Sequence, residues 1–213
     1  MKNFVGVALC ASMMLGATAA RADTLIFNST PADTWFYGSG NNYAPANTAV
    51  LTTTAGDQLY LRAHKYQVAA PASDGTGVYS FALGTDPLSF DWGIDNNAGA
   101  PITALITLTN IGTGVSSSYD PLFFINDNST GSGSTQNSSR FNWAPIGFDA
   151  NVNDTYKVQL DVNGLAGGAK SLSIFAKLGT GAVPEPASWA LMIAGLAAAG
   201  FTMRRKRTAV SFA

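Results

Sequence analysis

Tyr156-Lys157-Val158-Gln159-Leu160-Asp161-Val162 alternates apolar and polar residues without a break. That period of two belongs to a β-strand with one face buried and one face in water. Further on, Leu172, Ile174, Ala176 and Leu178 alternate with Ser171, Ser173, Phe175 and Lys177. Upstream, Ile102, Ala104, Ile106 and Leu108 alternate with Thr103, Leu105, Thr107 and Thr109. In 58–66, Leu59, Leu61 and Ala63 point one way while Tyr60, Arg62 and His64 point the other. Further strands are expected at 24–28, 34–37, 49–54, 78–83, 88–92, 122–126 and 140–148. Turn-rich clusters separate them at 38–42, 71–77, 95–101, 112–118 and 127–139. No stretch of the body has helical periodicity, so the expected fold is all-β: a single antiparallel sandwich or jelly-roll-like domain.

Composition agrees with a β-rich exported fold. Between Asp23 and Val183 there are six cations (Arg62, Lys65, Arg140, Lys157, Lys170 and Lys177) against twelve aspartates and no glutamate, a net charge near −6. An acidic body of this kind argues against nucleic acid or an anionic membrane as its partner. Cys10 is the only cysteine. It lies in the N-terminal leader, so the mature domain is expected to have no disulfide, thiol nucleophile or cysteine metal site.

The leader itself is residues 1–22. Lys2 supplies a short positive region, 4–17 is apolar, and Ala20-Arg21-Ala22 satisfies the small-x-small cleavage rule. Export by the Sec machinery with the mature chain beginning at Asp23 is the expectation. The β body then spans 23–178, with a flexible lead-in at 179–183.

A three-part device occupies 184–213. Pro184 and Pro186 each fix φ and remove a backbone donor, so the segment around Glu185 is extended rather than helical. From Ala187 to Met203 the chain carries no charge. This run sits near the lower limit of roughly 17 residues for a helix that spans a bilayer. Arg204, Arg205, Lys206 and Arg207 follow as a basic stop, which the positive-inside rule keeps cytoplasmic.

Pro184-Glu185-Pro186-x-x-Trp189-Ala190, the apolar helix and the basic end resemble the PEP-CTERM sorting signal of exported bacterial proteins, in its PEPxxWA variant. The resemblance covers 183–213. It implies an exosortase, a membrane-embedded transpeptidase-like enzyme, that recognises the Pro-Glu-Pro segment and releases the body from transient anchorage in the inner membrane. It also implies a host that makes exopolysaccharide, which becomes a candidate partner. Residues 119–178, through Asp127-Asn128-Ser129-Thr130-Gly131 and Gln136-Asn137-Ser138, further resemble β domains of other proteins with this tail, which have no assigned activity.

Chemistry-bearing residues are sparse. Asp149, Asn151 and Asn153 have the one-three-five spacing of an EF-hand loop, but Asp154 stands where glycine is needed and Leu160 where glutamate is needed. Oxygen-rich groups at Asp91, Asp95, Asn96 and Asn97, and at Asp120, Asp127 and Asn128, are compatible with a structural Ca²⁺. The competing reading is that Asp and Asn make turns by bonding their own backbone. His64 is the only histidine. It lies mid-strand without a Gly-x-Ser-x-Gly elbow, which makes it a strand-surface residue. Trp35, Tyr37, Trp92 and Trp143 are either a sugar-stacking platform or core filling.

These readings assign no catalytic residue, no metal ligand and no cofactor. The expected function is that of a cell-surface or matrix protein, structural or glycan-contacting. The alternatives are a secreted polysaccharide-active enzyme using an aspartate pair drawn from Asp91, Asp95, Asp120 and Asp127, and an uncut single-pass membrane protein with a periplasmic domain.

Overall fold

The computed structural model describes residues 22–31, 45–97, 99–124, 134–180 and Leu196. Ten strands carry the architecture: β1 (Thr24–Ser29), β2 (Thr48–Thr52), β3 (Gln58–Lys65), β4 (Val78–Phe81), β5 (Leu88–Asp95), β6 (Thr103–Asn110), β7 (Ser116–Tyr119), β8 (Ser134–Arg140), β9 (Asp154–Asn163) and β10 (Lys170–Leu178). Two 3-10 turns, Pro121–Phe124 and Phe141–Trp143, interrupt them. β1 begins one residue after the expected mature N-terminus. Asp23 itself accepts a hydrogen bond from the Thr54 backbone and pairs with Lys170 at 2.6 Å.

Two five-stranded sheets form, in the orders β1-β2-β3-β5-β8 and β4-β10-β9-β6-β7. The alternation in β9 becomes alternate burial, with Tyr156, Val158, Leu160 and Val162 all at 0 % exposure. Leu172, Ile174, Ala176 and Leu178 on β10, and Ile106 and Leu108 on β6, lie on the same face. They join Leu59, Leu61, Phe90, Trp92 and Ile94 of the other sheet in one core. Burial of each such side chain is worth about 1.5–3 kcal/mol, and this drives the two sheets together.

The hairpin between β9 and β10 turns through Gly164 at φ +93°, where an added Cβ would collide with the Pro101 carbonyl oxygen. Only glycine meets both conditions.

Several expectations need correction. The sheets are not wholly antiparallel, because β4 runs parallel to β10. The chain leaves β3 in one sheet, passes through 66–77, and enters the other sheet alongside β10 and in its direction. The strand expected at 122–126 is a 3-10 turn as far as Phe124. In 140–148 only Arg140 is strand, ending β8; a 3-10 turn and irregular chain follow. Conversely, β7 and β8 occupy stretches whose Ser, Gly and Asn content had pointed to turns. Both are edge strands, where backbone pairing with one neighbour suffices and side-chain hydrophobicity is not required.

The expected helix at 187–203 falls outside the described residues, apart from Leu196, which is helical. Among the described residues no helix is long and apolar enough to cross a membrane. The leader up to Arg21, the motif Pro184–Ala190, the basic stop, Trp35, Tyr37 and Asp127 also lie outside the described residues.

Candidate functional site

β3 and β5 pair with Arg62 opposite Asp91 and His64 opposite Ser89. All four point away from the core, toward the face expected to meet solvent, yet all four are at 0 % exposure. His64 is therefore not the strand-surface residue the alternation suggested. An Asp91 oxygen accepts a 2.7 Å hydrogen bond from Arg62 Nε, and its other oxygen lies 3.0 Å from His64 Nε2. His64 Nδ1 lies 2.8 Å from the Lys65 carbonyl oxygen.

Those distances favour the charged imidazole. Both ring nitrogens face an acceptor, a carboxylate on one side and a carbonyl on the other. Only the doubly protonated ring donates to both. Burial opposes that charge, but the charge and hydrogen bond of Asp91, together with the Lys65 carbonyl, raise the His64 pKa above 6.5. Asp91 shows the complementary effect. Burial pushes its carboxyl up, and the neighbouring His64 and Arg62 outweigh this and hold it at about 2.

Ser89, His64 and Asp91 are the residue types of a hydrolase triad, here brought onto one sheet face. The arrangement does not form one. Both imidazole nitrogens are turned to Asp91 and the Lys65 carbonyl, and among the described residues the Ser89 hydroxyl has no hydrogen-bond partner.

The aspartates considered for glycoside hydrolysis do not face each other across a cleft. Asp91 and Asp95 sit four residues apart on β5, roughly 13 Å along a strand, beyond the roughly 5–9.5 Å that glycosidase carboxylates span. Asp120 follows β7 in the other sheet, where it accepts from the Leu122 backbone. The oxygen-rich loops direct their side chains to backbone groups, some within the same turn and some in distant segments. Asp149 accepts from the Asn151 backbone, Asn153 from Thr180, and Asn96 and Asn97 donate to the carbonyls of Ala100 and Gly56. Among the described residues no three His, Cys, Asp or Glu side chains gather as a metal site would require.

A cleft suited to a ligand lies where the two sheets end. β7 closes one sheet and β8 the other, and between them opens a cleft of about 660 Å³. Tyr119 and Ser117 come from β7, Asn137, Ser138, Ser139 and Arg140 from β8, and Phe90 and Leu108 from the core beneath. A hydrogen bond of 2.9 Å between the Tyr119 and Ser139 hydroxyls ties the two edges. Burial pushes the Tyr119 hydroxyl up to about 12, against the lowering effect of Ser139, so it stays protonated.

The 3-10 turn after β8 shapes the rim. Phe141 turns into the core, edge-on to Phe90 at 5.3 Å. That anchoring leaves Trp143 outside, 65 % exposed at the cleft. The Arg140 guanidinium sits 4.1 Å from the Tyr66 ring centroid and 5.3 Å from that of Trp143. An open aromatic face, a cation and a row of hydroxyl and amide groups can stack a ring and hydrogen-bond its substituents.

Two tryptophans considered together in the sequence therefore separate. Trp92 is core and Trp143 is surface. Arg140 was missed as a site residue. It is the only cation between Lys65 and Lys157, flanked by Phe141 and Trp143, and that isolation was the available signal.

Fold and sites together define a two-sheet β protein followed by a C-terminal sorting device. Residues 182–207 match the family model of the PEP-CTERM protein-sorting motif, which the chain therefore carries. The motif implies an exported protein processed by an exosortase. No curated protein and no solved structure matches the chain.

Proposed function

We propose that this chain is a component of the cell surface or exopolysaccharide matrix with a structural or glycan-contacting role and no catalysis. The observation that carries the reading is the sorting motif at 182–207. In this reading 187–203 is a membrane helix that holds the protein in the inner membrane after Sec export. Arg204–Arg207 stay cytoplasmic, and an exosortase-type transpeptidase then frees the β body. The cleft between β7 and β8, with Trp143 exposed at its rim, supports glycan contact. The engagement of both His64 ring nitrogens by Asp91 and Lys65, with no bond to Ser89, supports a non-catalytic role.

Intact mass of the protein from its native host, measured separately in membrane and extracellular fractions, tests this. The expected species begins at Asp23 and ends near Pro184–Pro186, outside the inner membrane. A mass running through Ala213 in the inner membrane would replace the reading with that of an uncut, single-pass protein. Hydrolysis of matrix polysaccharide by the purified body would remove its non-catalytic part.

A further inference from the structure

The electrostatics of the β7–β8 cleft select among saccharides. Arg62, the other arginine of the body, has a carboxylate on its Nε. Lys170 pairs with Asp23, and Lys157 donates to Gln159. Among the described residues no carboxylate pairs with Arg140, and its buried Nε has no hydrogen-bond acceptor. Its plane is held instead by the Tyr66 ring. A guanidinium braced this way keeps its fork of donors available for a planar anion, which a carboxylate matches geometrically.

We propose that the cleft between β7 and β8 binds acidic saccharides, with Arg140 taking the carboxylate of a uronate-type sugar and Trp143 stacking on the sugar ring. The inference rests on the glycan-contacting reading above and names the class of glycan. Asn137 and Ser138 on β8 and Ser117 on β7 line the same cleft and supply hydrogen-bond groups for ring hydroxyls. The rest of the body, near −6 in charge, repels a polyanion. An acidic chain is therefore drawn to the few cations that have no carboxylate partner among the described residues, and Arg140 is the one that lines this cleft.

The test is calorimetric titration of the mature protein with short oligomers of glucuronate, galacturonate and mannuronate, each alongside its methyl ester. Acid and ester share ring and stereochemistry and differ in charge. At least one acid is expected to bind about tenfold or more tightly than its ester, the worth of one charge-assisted hydrogen-bonded contact. Added salt is expected to erase that difference in the unmodified protein, a readout that needs no variant. R140Q is expected to remove the acid's advantage over its ester, costing the acid more affinity than the ester. R140K, which keeps the charge but not the fork, is expected to fall between. W143A is expected to weaken acid and ester alike.

Equal affinity for acid and ester overturns the acidic-ligand inference and leaves the glycan reading standing. Binding of neither overturns both. R140Q weakening acid and ester equally also overturns the inference, since Arg140 would then only shape the rim.

Discussion

Replacing Asp91 by asparagine tests the buried charge cluster most directly. The change keeps the shape of the side chain and removes its charge. In the native protein this one carboxylate holds Arg62 Nε at 2.7 Å and His64 Nε2 at 3.0 Å, with all three side chains buried. Asp91→Asn leaves buried Arg62 without a counter-charge and His64 without the partner that favours its charged form, and the amide nitrogen presents a donor to one of two donors. Breaking one partner of a buried pair costs about 3–5 kcal/mol. For a body of about 160 residues that corresponds to a fall in Tm of about 6–20 °C.

The pH dependence is more diagnostic than the size of the loss. His64 has its folded pKa raised above 6.5. Its stabilisation is therefore complete below the unfolded value and is lost as pH rises through the folded one. Asp91 has its folded pKa lowered from 3.8 to about 2, so its stabilisation is complete above 3.8 and lost as pH falls toward 2. The native protein should therefore be most stable in the mildly acidic range and weaken on the alkaline side.

In Asp91→Asn the influences that raised His64 most are gone, while burial and Arg62 still lower it. The folded pKa then drops below the unfolded one, the unfolded chain binds more protons, and stability rises with pH near neutrality. Urea denaturation of the mature protein across the range from about pH 4 to about pH 8, followed by tryptophan fluorescence, reads both effects. A loss under about 1 kcal/mol, or parallel pH slopes in the native protein and the variant, would refute the cluster as described here.

Other outcomes follow from the fold. Trp92→Ala should destabilise by about 3–5 kcal/mol, because it empties a core position at 0 % exposure. Trp143→Ala, at 65 % exposure, should stay within about 0.5 kcal/mol in the same denaturation assay. Gly164→Ala should cost about 1–3 kcal/mol from its positive φ and its approach to the Pro101 carbonyl, read as a shift in the denaturation midpoint. Replacement of Pro184, Glu185 and Pro186 by alanine should leave the host protein at its uncut mass, read by mass spectrometry of the membrane fraction. Normal processing of that variant would deny the motif its role.

The central strands were legible because their physics is local. In β6, β9 and β10 a period of two is enough to state which residues face the core, and the structure buries those residues. Of the four edge strands, β1 and β4 were legible from their apolar residues, whereas β7 and β8 were not. Ser134-Thr135-Gln136-Asn137-Ser138-Ser139-Arg140 has no apolar alternation, and its strand state comes from backbone pairing with Leu88–Asp95, distant in the chain. Likewise 140–148 has the aromatic content of a strand. Phe141 is drawn into the core beside Phe90 and Tyr156, and that packing bends the chain into a turn.

The sorting device belongs to the first kind. Proline dihedrals, an uncharged run of membrane length and a block of four cations act along the chain, so Pro184–Arg207 could be read in order and the family model finds the same segment. The sites belong to the second kind. Arg62, His64 and Asp91 lie up to 29 residues apart, and nothing in their spacing states that they meet. Strand register places them together, and burial then forces the charges to pair. The cleft needs even more of the fold, since it exists only because β7 and β8 end different sheets over a shared core. Local sequence prescribes strand faces and chain signals because those depend on near neighbours. Which charges are buried and which aromatic ring stays in water depend on contacts between distant segments, so the packed sheets decide them.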